Sequence, residues 1–353
     1  MPALVTTRPA TLAMVVACAA TGRPMAPLSP RLTVRELAEC LDHLASPVLL
    51  CEPEWLEVGR ALAQACGREL VALREPTPTA DVPALTAAPD ATAFVLHTSG
   101  TTGRPRRVDV RQDRMGARAL VNGRLMQLDT DSVYNGGSPF HHIGGLGNLA
   151  VAMATGSRIV AFPRFSVEAW RDLDRLGVTH AQSVPTIIEM LLRADAFALP
   201  SLRLLQYGSS PVHPETLRRA MAAVPDVEFV NLFGQTEGSP LTCLSPADHR
   251  RAAAGDEVLL GSVGRPVEEV ELRIHEPDEA GVGEVWARAA HLFMTDAHGW
   301  LHTGDLGRID ERGYVHLVGR QGDLIIRGGE NVYPLEVEPV SYTHLTLPTT
   351  PYV

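Results

Sequence analysis

Helix and strand patterns alternate from about residue 12 to residue 235, and this alternation restricts the fold more than any other property of the chain. A capping box at Thr33 and Glu36 predicts a helix with one apolar face, and residues 48–50 form a short apolar run typical of a buried strand. Such alternation predicts an α/β fold with parallel sheets covered by helices on both faces. Further helices are predicted to begin at Ser166, Pro185 and Pro214, with strands near residues 159–162, 204–207 and 227–230 between them.

The pattern changes after Leu241, where short strands and turns replace the alternation. Residues 270–274, 283–287 and 314–318 predict strands of a smaller, mostly β subdomain packed against the α/β part. We therefore predict four segments: an α/β core over residues 1–240, a β-rich subdomain over 241–320, a hinge with the start of a further domain over 321–338, and a tail over 339–353.

Residues 97–107 read HTSGTTGRPRR and follow an apolar run, residues 93–96, that predicts a buried strand. Glycines let backbone N–H groups turn towards a ligand, serine and threonine add hydroxyl donors, and the arginines supply positive charge. The stretch therefore predicts a phosphate-binding loop. It is not a Walker A loop, because the glycine spacing differs, no Lys-Ser/Thr pair closes it, and residues 108–110 alternate like a strand. A polar surface hairpin is the alternative interpretation.

Charge and composition exclude several classes of protein. The net charge of −10 and the lack of a basic block argue against a nucleic-acid-binding surface, and the apolar stretches are too short for a membrane span. The five cysteines form no CxxC pair, so neither a zinc site nor a disulfide framework is indicated, and we expect a cytoplasmic protein. Residues 12–20 loosely resemble the apolar part of a signal peptide, although a buried helix explains them equally well.

Two stretches predict a platform for a base and a metal ligand. Residues 231–237, NLFGQTE, place an aromatic ring, a glycine, a hydroxyl and a carboxylate in one loop at the end of a predicted strand. Phe233 is suited to stack on a base, and Glu237 to hold a magnesium ion bound to phosphates. Taken alone, a loop with a solvated glutamate is the simpler interpretation. Residues 207–211, YGSSP, form a bare turn whose backbone would flank the same base.

Three later stretches complete a nucleotide-binding set. In WLHTGD, Asp305 is predicted to lie in a tight turn and to hold the two ribose hydroxyls by charge-assisted hydrogen bonds. In GRQGD, Arg320 ends a predicted strand and is placed to reach the same sugar or a phosphate. GGENVYP predicts a glycine turn leading into a helix at Pro334. Together these stretches supply the parts that a nucleoside triphosphate requires.

The order of these stretches resembles the adenylate-forming superfamily of acyl-CoA synthetases, luciferases and nonribosomal-peptide adenylation domains. The resemblance covers about residues 12–338 and rests on HTSGTTGRPRR, SPFHHIGGL, QYGSSP, NLFGQTEG, GSVGRP, WLHTGD and VGRQGDLIIRGGENVYPLEVE. The GGENVYPLEVE ending is most similar to acyl-CoA synthetases. The resemblance implies an ATP- and Mg²⁺-dependent carboxylic acid–CoA ligase. In such enzymes a carboxylate attacks the α-phosphate of ATP to give acyl-AMP and pyrophosphate, and the acyl group then passes to the thiol of CoA.

Site residues follow from the resemblance, position by position. It implies that Thr236 contacts the α-phosphate, that Glu237 binds Mg²⁺, and that His142 lies at the mouth of the acyl pocket, with a satisfied core histidine as the alternative for His142. It places Gly322 at the hinge. The resemblance also implies that Gly328, Gly329 and Glu330 belong to the loop that approaches the pantetheine of CoA. The implied ATP- and AMP-binding residues are Thr98, Ser99, Gly100, Thr101, Thr102, Gly103, Gly208, Ser209, Ser210, Phe233, Gly234, Asp305 and Arg320.

The chain departs from the family pattern in several places. It contains no lysine, and Arg106 stands where a lysine usually closes the first motif, which keeps the charge but changes its shape. After residue 338 the family continues into a lid of roughly 100 residues that carries a catalytic lysine. Here Pro339 follows instead, and residues 340–353 resemble a translated sequencing adapter. We expect this tail to be an artefact and an opening section to be missing as well.

Three functions remain open at this stage. The first is an acid–CoA ligase acting on a small carboxylic acid, ATP and CoA. The second is a nucleotide- and acid-binding module without turnover, because the lysines and the lid are absent. The third is an adenylation enzyme that loads an acyl carrier protein. No motif fixes whether the acid is fatty, aromatic, succinylbenzoate-like or an amino acid.

Overall fold

The computed structural model describes residues 1–74, 86–99, 105–323, 325–327 and 330–332. The helices within these residues are α1 (Pro9–Ala20), α2 (Val34–Leu41), α3 (Leu56–Ala65), α4 (Gln112–Leu125), α5 (Ile143–Thr155), α6 (Val167–Arg175), α7 (Pro185–Arg193), α8 (Pro214–Ala223) and α9 (Pro246–Ala253).

Nineteen strands accompany these helices in the described ranges. They are β1 (Pro2–Leu4), β2 (Ala26–Leu28), β3 (Val48–Cys51), β4 (Glu69–Ala72), β5 (Thr92–Ser99), β6 (Pro105–Arg111), β7 (Val133–Asn135), β8 (Arg158–Val160), β9 (His180–Ser183), β10 (Leu204–Gly208), β11 (Glu228–Gln235), β12 (Gly238–Leu244), β13 (Arg265–Pro266), β14 (Glu271–His275), β15 (Gly283–Arg288), β16 (Leu301–Ile309), β17 (Val315–Arg320), β18 (Ile325–Arg327) and β19 (Glu330–Val332).

Two sheets carry the α/β part of the molecule. A four-stranded sheet has the order β2-β1-β3-β4, and all of its neighbours are parallel. A seven-stranded sheet has the order β13-β12-β11-β10-β9-β7-β8, with parallel pairing from β11 through β8. The predicted α/β fold is confirmed. The helices expected at Ser166, Pro185 and Pro214 are confirmed too: Ser166 caps α6, and the prolines begin α7 and α8.

The smaller β part is an antiparallel sheet with the order β14-β15-β16-β17. Its strands agree with those predicted near residues 270–274, 283–287 and 314–318. Tyr314 precedes β17, and its hydroxyl donates to Asp248 Oδ1 of α9 at 2.6 Å. This bond connects the antiparallel sheet to the helix that lies between β12 and β13 of the seven-stranded sheet. The four-segment division of the chain stays a prediction.

Buried apolar side chains hold β10 and β11 in the core of the α/β part. Under α6, α7 and α8, the seven-stranded sheet packs Leu205, Tyr207 and Phe229 into one hydrophobic cluster. The buried Tyr207 hydroxyl pairs with His249 Nε2 at 2.9 Å, so its polar end is satisfied inside that cluster. Residues 12–20, which resembled a signal-peptide segment, lie in α1 and bury Val15 and Cys18. No described helix is long and apolar enough to cross a membrane.

Two local predictions are wrong. Residues 231–237 were expected to form a loop at a strand end, but β11 continues to Gln235 and turns through Thr236 and Glu237 into antiparallel β12. Asp305 was expected in a tight turn, but it lies within β16. Glu284 pairs with Leu306 and Trp286 with His302, so residues 303–305 form a bulge opposite one residue of β15. Gly304 takes φ +70° there, which explains the turn-like sequence.

Gly264, in the GSVGRP stretch, supports a direct stability test. Its φ is +89°, and a Cβ would lie 2.0–2.1 Å from backbone atoms of Cys243 and Leu244 in β12. We expect Gly264→Ala to lower the free energy of unfolding by about 3 kcal/mol or more, or to prevent folding, as measured by urea denaturation.

Gly313→Ala is the matched control. Gly313 has φ +83°, but a Cβ there meets no atom within 4 Å. Only the conformational cost, about 1–2 kcal/mol, should remain. Equal losses in the two variants would contradict the close backbone approach at Gly264.

Candidate active site

A cleft of about 540 Å³ opens at the carboxyl ends of β10 and β11, beside the end of β17. In open α/β sheets this edge is the usual position of a ligand. The cleft brings together seven of the residues expected from the sequence: Gly208, Ser209, Ser210, Phe233, Gly234, Asp305 and Arg320. Three polar residues that the sequence reasoning missed also line it: Asn231, Ser262 and Asp323.

Asp305 and Arg320 form the charged side of the cleft. They are directly opposite in the pairing of β16 with β17, and Arg320 Nε donates to Asp305 Oδ1 at 2.9 Å. Asp305 is 7% exposed, and burial raises its pKa, although the neighbouring Arg320 cation acts in the opposite direction. The carboxylate is thus held in place with acceptor capacity left over for the hydroxyls of a sugar.

Asn231 joins the ends of two neighbouring strands at the cleft. Its Nδ2 donates to the carbonyl of Tyr207 at 3.2 Å, which ties β11 to β10. Its Oδ1 is buried and has no hydrogen-bond partner among the described residues. This oxygen is suited to accept a hydrogen bond from an amino group of a base. The only sequence signal for this role is an asparagine at the end of a buried strand.

The turn between β11 and β12 brings Glu237 close to the strand that leads into the expected phosphate loop. Thr98 Oγ1 donates to Glu237 Oε1 at 3.3 Å, and the Glu237 carbonyl accepts from Phe293 N at 2.8 Å. Glu237 is 8% exposed, and Thr236 precedes it in the turn. Arg106 is exposed on β6, opposite Thr98. Ser99 ends β5, whereas Gly100, Thr101, Thr102 and Gly103 lie outside the described residues.

Glu237 is the candidate metal ligand. Within the described ranges, no group of three or more His, Cys, Asp or Glu side chains is arranged to hold a metal ion. A single carboxylate fits Mg²⁺, because this ion commonly takes one or two carboxylates and completes its shell with phosphate oxygens and water. The donor set therefore suits a magnesium ion that arrives with a nucleotide.

His142 caps the N-terminus of α5, where it is exposed and its ring lies 4.4 Å from that of His141, centroid to centroid. Shielding by the surrounding protein lowers the pKa of His142, and burial lowers that of His141 to about 3. Both rings are thus expected to be neutral at physiological pH. The structure does not bring His142 into the cleft; this residue lies at the start of α5, which packs against α4 and β8.

The expected hinge and CoA-facing residues lie at the far end of the described chain. Gly322 lies in a short 3-10 segment, Gln321–Asp323, directly after Arg320. A Cβ at Gly322 would meet no atom within 4 Å. Glu330 begins β19, which pairs with β18, whereas Gly328 and Gly329 lie outside the described residues. The hinge and CoA-facing roles stay predictions.

Comparison with known proteins identifies the family. The sequence profile of the AMP-binding enzyme family matches residues 3–295. The chain belongs to this family. The chain is 32% identical to a fatty acid–[acyl-carrier-protein] ligase of Streptomyces coeruleorubidus, over 93% of this chain and 68% of that protein. It is 30% identical to an indoleacetate–CoA ligase of Aromatoleum aromaticum, over 94% of this chain and 70% of that protein.

Other members of the family extend the comparison. A 2-succinylbenzoate–CoA ligase of Bacillus cereus is 32% identical over 71% of this chain and 54% of its own length. The structure of an amide bond synthetase from Marinactinospora thermotolerans superposes with a TM-score of 0.83 at 27% identity, covering 97% of this chain and 73% of that one. An O-succinylbenzoate–CoA synthetase from Bacillus subtilis, in complex with ATP and a magnesium ion, gives a TM-score of 0.84 at 26% identity, over 97% and 74%. The chain thus belongs to a family of adenylate-forming enzymes whose similar members include CoA and acyl-carrier-protein ligases.

Burial of Asp305 leads to a test that separates stability from binding. Because folding raises the pKa of this acid, its ionised form costs stability above that pKa, and the cost disappears as the pH falls. Asp305→Asn should therefore leave the melting temperature of the unliganded protein at pH 7 unchanged or higher. Any gain should shrink as the pH falls towards 3.8, the ordinary aspartate value.

The same variant should bind AMP at least about tenfold more weakly, because charge-assisted bonds to the sugar hydroxyls are lost. Calorimetric titration with AMP measures this loss. Asp131→Asn, on an exposed turn before β7, is the control and should leave both properties unchanged. A destabilised variant that still binds AMP like the wild type would show that Asp305 serves the fold and not the nucleotide.

Proposed function

We propose that this chain activates a carboxylic acid with Mg·ATP, forming acyl-AMP and pyrophosphate, and that the acyl group then passes to the thiol of CoA. One observation carries the proposal. The same cleft edge holds the Asp305–Arg320 pair and the bare β10 end, and the adjoining β11–β12 turn holds Glu237 against Thr98. The cleft and the adjoining turn thus offer an aromatic side chain suited to a base, a carboxylate suited to a ribose and a carboxylate suited to the metal ion on the phosphates.

Different residues of the described chain would bind the adenine, the ribose and the phosphates of ATP. Phe233 and the backbone of residues 208–210 would hold the adenine from two sides, with Asn231 accepting from its amino group. Asp305 would accept hydrogen bonds from the ribose hydroxyls. Thr98 and Thr236 would donate to phosphate oxygens, and Glu237 would hold the magnesium ion. When bound, that ion neutralises charge on the phosphates and orients the leaving group.

Adenylation by this arrangement is chiefly a matter of position and charge. A carboxylate oxygen of the acid attacks the α-phosphorus, the bond to the bridging oxygen of the β-phosphate breaks, and pyrophosphate leaves with the electron pair. Such transfers are accelerated by alignment and by neutralisation of developing negative charge. The sequence given contains no lysine, so besides the magnesium ion the arginines Arg106 and Arg320 would supply positive charge near the phosphates.

Glu237→Gln tests the metal assignment. The amide keeps an acceptor for Thr98 Oγ1 but removes the negative charge, so the local fold should persist. We expect calorimetry to show Mg·ATP binding weakened about tenfold or more, with AMP affinity within about twofold of the wild type, because AMP carries no β,γ-phosphates to bring the ion.

Glu311→Gln, on the exposed turn between β16 and β17, is the matched control for loss of one carboxylate. It should bind both nucleotides like the wild type. If Glu237→Gln bound Mg·ATP normally, Glu237 would not be the metal ligand. If AMP binding fell equally, the residue would serve the fold of the β11–β12 turn.

The identity of the acyl acceptor is tested by analysing the products that the full chain forms from Mg·ATP and the carboxylic acids named for the relatives. Pyrophosphate exchange that depends on the acid would support adenylation, and a thioester formed with free CoA would support the proposed acceptor. A thioester formed only with a carrier protein would favour the second candidate, which rests on the similarity to the acyl-carrier-protein ligase. Binding of Mg·ATP without exchange would reduce the chain to a nucleotide-binding module.

A further inference from the structure

A buried arginine outside the cleft forms no ion pair with any of the described residues. Arg118 lies on α4 and is 5% exposed. Its Nε donates to Ser239 Oγ at 3.1 Å, whereas its buried Nη1 has no hydrogen-bond partner among the described residues. No Asp or Glu of the described chain lies within ion-pair distance of it, although many surface arginines are paired. A buried cation of this kind is costly unless an anion meets it.

The groups that face Arg118 do not supply that anion. Tyr134 on β7 is fully buried, and its hydroxyl also has no partner in the described part of the chain. Burial raises the pKa of Tyr134, so the phenol stays neutral and can donate. Burial lowers the pKa of His291, whose Nε2 is bonded to the carbonyl of Pro240. Burial also lowers the pKa of Arg118, to about 10, so the guanidinium remains charged at neutral pH.

Arg118 lies between two elements that adjoin expected active-site residues. Ser239, whose hydroxyl accepts the hydrogen bond from Arg118 Nε, follows Glu237 by two residues, a span of at most about 7 Å. On the other side, Gly147 of α5 leaves room for the guanidinium, because a Cβ there would lie 2.2 Å from Nη1. His142, which the resemblance puts at the mouth of the acyl pocket, caps the same helix. The unpaired cation thus lies between α5, which begins after His142, and the start of β12, which follows the turn that holds Glu237.

We propose that Arg118 binds a second carboxylate of the substrate, so that the enzyme selects dicarboxylic acids over monocarboxylic acids of the same length. This inference rests on the proposed function and names its substrate class. A guanidinium presents two parallel donors that match a carboxylate, and the Tyr134 hydroxyl offers a third donor. A monocarboxylic acid would leave these buried donors unpaired, and such a loss discriminates strongly between substrates.

The first arm measures acid binding to the full wild-type chain by calorimetry, with Mg²⁺ and α,β-methylene-ATP, which cannot transfer its adenylyl group. Matched pairs differ only in the second carboxylate: hexanoate and hexanedioate, octanoate and octanedioate, and 4-oxo-4-phenylbutanoate and 2-succinylbenzoate. For the pairs that fit the pocket, we expect the diacid to bind at least about tenfold more tightly. Equal or tighter binding of every monoacid would overturn the proposal.

The second arm uses variants. Arg118→Met keeps much of the length but removes the charge, and it should reduce the diacid preference to about twofold or less. Gly147→Ala should do the same by displacing the guanidinium while leaving Arg118 in the chain. Arg124→Met is the control, because Arg124 is an exposed arginine of the same helix, paired with Glu269. A full preference retained in either folded test variant would overturn the role of Arg118.

The two proposals fail in different ways. If the wild-type chain does not bind α,β-methylene-ATP, the proposed function fails before any acid is compared. If the analogue binds and the acids show no preference for a second carboxylate, the function stands and the inference is wrong. Should Arg118→Met not fold, the wild-type pairs and Gly147→Ala still decide the question. Acid-dependent pyrophosphate exchange with the same pairs gives an independent readout of the preference.

Discussion

The antiparallel return of β12 along β11 is the constraint on which the site depends. A parallel sheet alone would end at β11, and the chain would leave its edge through a loop. Instead β11 continues past the sheet edge to Gln235, and the Glu237 carbonyl accepts two backbone N–H groups from residues 293 and 294. These bonds hold the turn rigidly between the cleft and the expected phosphate loop. Glu237 therefore reaches Thr98, and Ser239 reaches Arg118, from opposite ends of one short segment.

The antiparallel β14–β17 sheet contributes the opposing wall of the cleft. The bulge in β16 removes Asp305 from the regular alternation, and the register with β17 brings Arg320 opposite it. The Tyr314–Asp248 bond then connects this sheet to α9, which follows β12. The position of the buried Asp305 carboxylate thus depends on a strand register, on a glycine with positive φ and on a contact between this sheet and α9. Burial of a charged side chain is unfavourable, and such side chains are concentrated at functional sites.

The sequence was sufficient to predict the α/β class, the helix starts at Ser166, Pro185 and Pro214, and the residues of the cleft that belong to contiguous motifs. Those features depend on local capping, periodicity and glycine-rich stretches. The β11–β12 turn and the β16 bulge were mistaken for loops, because a glycine with turn-like neighbours looks the same in a turn and in a bulge. Asn231 was missed because its unpaired oxygen becomes visible only when β10 and β11 lie side by side.

Arg118 shows a further limit of local patterns and also what the whole fold adds. On its own helix it is one of several arginines, and nothing in the neighbouring sequence separates it from the exposed Arg124. The packing of α4 against α5 and β12 shields the Arg118 guanidinium from solvent. The fold also shows that no acidic side chain among the described residues pairs with this guanidinium. Since a buried charge without a partner is unfavourable in the free protein, the unpaired Arg118 is the observation from which we infer a ligand that carries the missing charge.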